Sequence, residues 1–434
     1  MKMVGRKVRQ SIISVLGPPL DSLNITFTDL SPRKSLSHTF WQIGWIVVFE
    51  SNKEILLSTL DMLDACKGLK IPSQTGNTNF NAIVVDCGNS IEVSYKTGPG
   101  QFTSSPFKIP RFIPLNKRTF QAFGLMQAEC TKRLTYPSFD FSNTTMSVVR
   151  FVLDYFEDVW EIPRISWKVY VEYWRGKVNE TKKERIIKFW ADHLSVHDWQ
   201  VKVRVGPEER FSKRASLFGT AAVRLNSRIA QVLIMQVLEQ VKAIAESNES
   251  AAGAYLCGLF AGDGLALEHK GNLATIGLSF NPRSTELDHY AKVLAQVGVR
   301  VDKEKLSCDG KKAIFFNHWR DSITLLEVSD GELFLPHRRN AIRFYRGFLA
   351  NQYVKPLLRL RLFKKRPLMA RELANTVKVC KRTANLDLNR CVALGLLRRD
   401  GKGTTSSPFL FYLTDKGKTF LKIVEKIERF LKGQ

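Results

Sequence analysis

The sequence holds no apolar run of about 18 residues, so it offers no helix suited to crossing a bilayer. Its basic first twenty residues carry only the short apolar stretch Ile12-Ile-Ser-Val-Leu16, too short for a convincing signal peptide. Its seven cysteines (66, 87, 130, 257, 308, 380 and 391) show no CxxC spacing, and its seven histidines form neither HExxH nor a Cys/His finger. That excludes a zinc site and a disulfide scaffold, and predicts reduced, buried thiols in an intracellular, cytoplasm-like compartment. His193 and His197 stand four apart but read as surface residues. Acid is also scarce: 41 Asp+Glu face 66 Lys+Arg, a formal charge of +25. Such an excess predicts a polyanionic partner, either nucleic acid or an anionic membrane. With 434 residues and 44% apolar content, the chain is long enough for two or three domains around a large core.

What is present is a repeated motif. Leu256-Cys-Gly-Leu-Phe-Ala-Gly-Asp263-Gly264 has an earlier, fainter twin in Ala122-Phe-Gly-Leu-Met-Gln-Ala-Glu129-Cys130. Both have Gly at the third place (Gly124, Gly258), Leu at the fourth and an acid at the eighth (Glu129, Asp263). A small residue follows each Gly by four, Ala128 and Gly262, and so lies on the same helix face. Two small-residue faces let two helix backbones approach closely. Paired helices then bring the terminal acids side by side, where two buried carboxylates repel unless a cation sits between them.

These motifs resemble those of the LAGLIDADG homing endonucleases, in the single-chain, two-motif form. The resemblance implies that the motif helices form the central interface, and that Glu129 and Asp263 are the metal-binding, catalytic pair of a monomeric, site-specific DNA endonuclease. Mg2+ is the implied cofactor, or Mn2+, because an all-oxygen site suits such ions and a carboxylate-held metal activates water for phosphodiester hydrolysis. Cys130 departs from the usual Gly, and Gln127 and Ala261 replace an Asp that is not catalytic in the family.

The remaining chain fits an α+β architecture. Residues 1–115 read as a β-rich accessory segment, with strands over 43–49, 82–87 and 90–95 and helical spacing from Glu54 to Lys67. Residues 116–248 and 249–350 read as two αββαββα repeats related by a pseudo-twofold. Setting Phe141 against Phe280 aligns their strands, and Val223-Arg-Leu-Asn226 matches Ile314-Phe-Phe-Asn317. Residues 351–434 resemble a winged helix-turn-helix: a basic helix over 353–365, a helix over 368–375, a second over 383–394 closed by Gly395, a hairpin and a terminal helix over 416–431.

Double-stranded DNA is the expected partner, with no membrane and no obligate protein partner; a nucleoid-associated location goes with it. Outward positions on the first strands of each repeat are the candidates for base reading: Ser138, Asp140 and Ser142, then Thr275, Gly277 and Ser279. Lys168, Tyr170, Glu172 and Arg204 follow, with Arg283 and Lys312 (or Lys311) as phosphate contacts. In the winged helix, Lys381, Arg382, Thr383 and Asn385 are expected to enter the groove, and Lys402 to mark the wing tip. Two rival readings remain: a non-cleaving regulator that binds DNA through the same surfaces, favoured by the degenerate first motif, and an RNA-splicing maturase.

Overall fold

A computed structural model describes residues 40–433, apart from 44–45, 50–53, 67–69, 74–75, 80–81, 98–101, 131–137, 214, 270–271, 281–285, 300, 302–306, 310, 317–318 and 405–406. The chain divides into two compact units, Met1–Asp263 with Asp288–Gln296, and Gly264–Leu287 with Val297–Gln434.

The first unit opens with short strands: β1 (Phe40–Ile43), β2 (Ile46–Phe49), β3 (Glu54–Ser58), β4 (Lys70–Ser73), β5 (Gly76–Asn79), β6 (Ala82–Asp86), β7 (Ser90–Thr97), β8 (Phe102–Thr103), β9 (Phe107–Pro110) and β10 (Phe112–Pro114). One helix, α1 (Thr59–Cys66), follows β3. They make a β1-β2-β3-β10 sheet, a β4-β5 hairpin and a β6-β7-β8 sheet with β9 on β7. The strand expected over 43–49 belongs to a hairpin, since β1 pairs with β2. The helix expected from Glu54 starts only at Thr59, because Glu54–Ser58 is drawn into pairing with β2 and β10.

Next come α2 (Lys117–Glu129), β11 (Phe139–Asn143), α3 (Met146–Trp160), β12 (Trp167–Tyr173), α4 (Glu180–Leu194), β13 (Val201–Val205), β14 (Thr220–Leu225), α5 (Arg228–Ala245) and α6 (Glu249–Gly262). The two motif helices, α2 and α6, begin alike. Asn116 accepts from the Thr119 N–H and Asn248 from the Ala251 N–H, each supplying an orphan donor of the first turn. Every residue from Ala251 to Ala261 is buried, so α6 is a core helix with no solvent face.

The pairing of α2 with α6 is backbone on backbone. A Cβ placed on Gly124 would stand 2.1 Å from the Tyr255 carbonyl oxygen, and one on Gly258 1.8 Å from that of Gln121. Tyr255 precedes Gly258 by three residues and Gln121 precedes Gly124 by three, so the crossing reproduces itself under a twofold. Each glycine thus turns a Cα–H toward a carbonyl of the other helix, a contact that adds about 0.5–1 kcal/mol. One turn on, a Cβ at Gly262 would meet Ala128 Cβ at 2.5 Å and Glu129 Cγ at 3.1 Å.

After α6 the second unit supplies β15 (Gly264–His269) and β16 (Asn272–Ser279). Helix α7 (Glu286–Gln296) follows, then β17 (Ser307–Asp309), β18 (Lys311–Phe316), α8 (Trp319–Val328) and α9 (Arg338–Ala350). The run from α6 to α8 has the αββαββα order. Its sheet is ordered β15-β16-β18-β17 and that of the first half β11-β14-β12-β13. Cys130 forms an antiparallel bridge with Phe141 where Gly264 pairs with Leu278. The first half is therefore the same sheet with its first strand reduced to a bridge, and with α4 and β13 added so that β13 runs parallel to β12. The pairs Phe141–Val223 and Leu278–Ile314 set Phe141 against Leu278. This corrects the expected match to Phe280 by two residues and keeps the same sheet face.

The winged helix closes the second unit: a 3-10 segment over Lys355–Lys364, β19 (Leu368–Met369), α10 (Ala370–Val377), α11 (Lys381–Ala393), β20 (Leu397–Asp400), β21 (Leu410–Leu413) and α12 (Asp415–Lys432). The expected basic helix over 353–365 is this 3-10 segment. Helix α11 ends into Gly395, whose φ of +72° only glycine adopts freely.

Two outcomes test this packing. Gly258→Ala pushes a methyl into a helix backbone, so it is expected to cost about 3 kcal/mol or more in urea unfolding, whereas Gly298→Ala, with open space around its Cβ, is expected to cost only backbone strain. Indistinguishable midpoints for the two would disprove the close crossing. The second outcome concerns pH. Tyr255 donates to His289 Nε2 at 2.9 Å, and His289 donates from Nδ1 to Glu246 at 2.9 Å, with Lys292 also on Glu246. Burial holds the His289 imidazole below its usual 6.5. The unfolded chain therefore takes up a proton that the fold refuses, and stability is expected to fall as pH drops below about 6.5. His289→Gln should flatten that part of the profile; an unaltered slope counts against it.

Candidate nucleic-acid interface

The first half's sheet alternates cleanly. Phe139 and Phe141, Trp167, Val169, Val171 and Tyr173, and Ala221, Val223 and Leu225 are buried, while their neighbours in sequence turn outward. Register sets Arg224 beside Asp140 on one side and Lys168 on the other, and Tyr170 beside Lys202. Arg224 makes a two-pronged ion pair with Asp140, at 2.7 and 2.8 Å. The Arg204 and Arg224 guanidinium groups lie 4.2 and 4.9 Å from the centre of the Tyr170 ring, so one exposed face carries an aromatic ring held between two cations. Lys168, Lys202 and Arg204 are exposed around it, with the Glu172 carboxylate also outward.

Of the first-strand candidates, Asp140 and Ser142 are half-buried on this outer face. Asp140 is committed to Arg224. Ser138 is a correction: it is 5% exposed, because it lies one residue before β11 begins and the strand's alternation does not extend to it. Sequence reading missed Arg224 and Lys202. The alternation in Val201-Lys-Val-Arg-Val and in Ala221-Ala-Val-Arg-Leu marked both as outward positions.

In the second half Thr275 and Ser279 are half-exposed, alternating with buried Ile276 and Leu278 as expected, while Gly277 is buried. Arg283 lies outside the described residues. Lys311 and Lys312 stand in β18, in register with Asp309 and Cys308; their side chains lie outside the described residues.

In the winged helix, Lys381, Arg382 and Thr383 occupy the first turn of α11 and are exposed, with Asn385 half-buried. The Cys380 thiol lies 3.1 Å from the Thr383 hydroxyl, a hydrogen bond that comes first in lowering the thiol pKa. Behind the exposed turn, buried Asp387 pairs with Arg359 and Arg390, and Arg390 also lies over the stacked rings of Trp319 and Tyr353. These contacts fix the helix from its inner side and leave its first turn outward. On the wing, Arg398 and Arg399 lie over Tyr412 and Phe409, and Lys402 is exposed at the tip.

Glu129 ends α2 beside Gly262, the last residue of α6, and Asp263 follows that glycine: a Cβ on Gly262 would stand 3.1 Å from Glu129 Cγ. Both are half-buried rather than buried, so water shares in screening them. Two carboxylates are a donor set that Mg2+ or Mn2+ accepts together with waters and phosphate oxygens. Among the described residues no group of three or more His, Cys, Asp and Glu side chains is placed to hold a metal ion. Each acid is already held by a neutral donor of its own half: Asn143 Nδ2 donates to Glu129 at 3.0 Å, and the Tyr290 hydroxyl to Asp263 at 3.3 Å. The pair has the donors for a metal, and its present geometry is satisfied by hydrogen bonds.

No helix among the described residues is long and apolar enough to cross a membrane. Comparison with known proteins corrects one expectation. No protein-family model matches the chain, and no curated protein matches it. A solved structure, that of full-length DUF199/WhiA from Thermatoga maritima, matches with 12% identity and a TM-score of 0.30, over 64% of this chain and 92% of that one. A likeness of that size positions no residue here. Membership of the homing-endonuclease family, expected from the motifs, is not upheld: no protein-family model matches the sequence.

Proposed function

We propose that this protein is a non-cleaving DNA-binding regulator: its winged helix reads duplex DNA, and the outer face of the first-half sheet is a further basic surface for DNA. The observation that carries this reading is the exposed first turn of α11, with Lys381, Arg382 and Thr383 outward on a helix fixed from behind. In a helix-turn-helix arrangement that turn is the part presented to base edges in the major groove. The +25 charge supplies the sequence-independent attraction. Tyr170 with Arg204 and Arg224 offers guanidinium groups and a ring at one place on the sheet, suited to phosphate oxygens and sugar.

Cleavage is the second reading, favoured by an acid at the end of each of the two paired motif helices. A bound divalent ion there would supply activated water and charge neutralisation. Against it stand the two neutral donors already satisfying the acids, and the loss of the motif's final glycine at Cys130. A regulator uses the acids differently: as hydrogen-bond acceptors they tie the ends of α2 and α6 to β11 and α7.

Selection of purified protein on a randomised duplex pool is expected to yield one enriched sequence. Lys381→Ala and Arg382→Ala should each weaken that site by about 1–3 kcal/mol if they contact bases, or lower the salt slope by about 1 if they contact phosphate. A pool that stays random, or variants that bind like the parent at every salt concentration, would defeat the regulator reading. Supercoiled plasmid carrying the selected site is expected to stay intact in Mg2+ or Mn2+, and chelation should leave binding unchanged. Nicking that disappears in Glu129→Gln or Asp263→Asn would hand the case to cleavage.

A further inference from the structure

Helix α9, Arg-Arg-Asn-Ala-Ile-Arg-Phe-Tyr-Arg-Gly-Phe-Leu-Ala, holds four arginines and no acid. Its buried side, with Ala341, Phe344, Tyr345 and Phe348, packs on β15 and β16. Arg338, Arg339, Arg343 and Arg346 are exposed on the other side. Three of them, Arg339, Arg343 and Arg346, follow the i, i+4, i+7 line of one helix face.

Among the described residues none of the four has an ion-pair or hydrogen-bond partner. The segment that follows is built the opposite way. There Arg359 pairs with Asp387, Arg361 with Glu428, Lys364 with Glu425 and Arg366 with Glu372. Where cations serve the architecture of this unit, they have acids. On α9 they work against it: like charges four apart repel, and cations in the first turn oppose the helix dipole. Burial comes first in holding the His337 imidazole below its usual range, and the charges of Arg339 and Arg343 add to it, a local sign of unneutralised positive potential.

We propose that this arginine line is a docking surface for the phosphate backbone of duplex DNA, separate from the first turn of α11 and from the open face of β15 and β16. The proposal rests on the DNA-binding reading above. The fully exposed residues of α9 are all arginine, with Ile342 and Leu349 only half-exposed beside them, so charge rather than apolar area dominates this side. Guanidinium groups suit phosphate oxygens by their two-pronged geometry. Position matters too. Helix α9 covers β15 and β16, whose Ala266, Ile276 and Leu278 are buried, whereas Thr275 and Ser279 alternate to the other face. DNA on the sheet's open face cannot reach the arginines. They are placed for a further stretch of a long duplex, or for a second one.

The test uses the full chain and the triple variant Arg339→Ala/Arg343→Ala/Arg346→Ala, with its melting temperature as a folding control. Affinity is measured against salt for a selected-site duplex of about 15 base pairs and one of about 60, roughly one and a half and six helical turns. On the long duplex the slope of log K against log salt is expected to fall by about 2 to 3 in the variant. On the short one it should not change, and the triple Arg→Lys variant should regain most of the loss. An unchanged slope on the long duplex overturns the proposal, as does a variant defect that appears only with an acidic polypeptide such as polyglutamate. Failure of the parent to bind either duplex would instead remove the DNA-binding reading on which the proposal stands.

Discussion

The structure depends on a contact that admits no side chain. Gly124 and Gly258 let α2 and α6 approach until peptide carbonyls of one helix face the Cα atoms of the other. That crossing sets where both helices end, and so which residues meet beyond them. Strand β11, helix α7 and both terminal acids take their places from it. The hydrogen bonds from Asn143 and Tyr290 then fasten those ends, each within its own half. The close approach has a geometric cause, the absence of Cβ, and it holds whether or not an ion is ever bound nearby.

The second unit relies on charge more than on close packing for its finish. Asp387, Glu425 and Glu428 anchor the basic segment before the winged helix, and Lys416 and Lys426 tie α12 to Glu327, Asp330 and Glu332. Most of these pairs are partly exposed and individually contribute little to stability. Their joint effect is to orient elements. They turn the inner side of α11 toward neutralising partners and leave its first turn unneutralised. A basic protein can be specific about where its charge points only if the remaining cations are accounted for in this way.

Much of this was legible in the sequence, for identifiable reasons. The motif glycines were readable because a backbone contact tolerates one residue type. Strands β12 and β14 alternate in sequence because one buried face imposes it. Helix α4 was missed: only Ile186, Trp190, Ala191 and Leu194 of its fifteen residues are buried, so its periodicity is faint, and the other repeat has no counterpart of it among the described residues. Register was misjudged by two residues because alternation fixes the face of a strand and not its slide along the neighbour. Ser138 shared the parity of Asp140 and Ser142 but sits before the strand starts. Family membership failed for another cause: a glycine-bearing helix pair with terminal acids records how two halves pack, and that need is the same in proteins of different activity.

Among the described residues the added strand β13 occurs in one half only. Two identical chains meeting about a twofold must accept every change in duplicate, so that an ornament useful on one flank is forced upon the other. Joining both halves in a single polypeptide removes that obligation. Here, among the described residues, the first half carries a parallel strand and a crossover helix that the second does without.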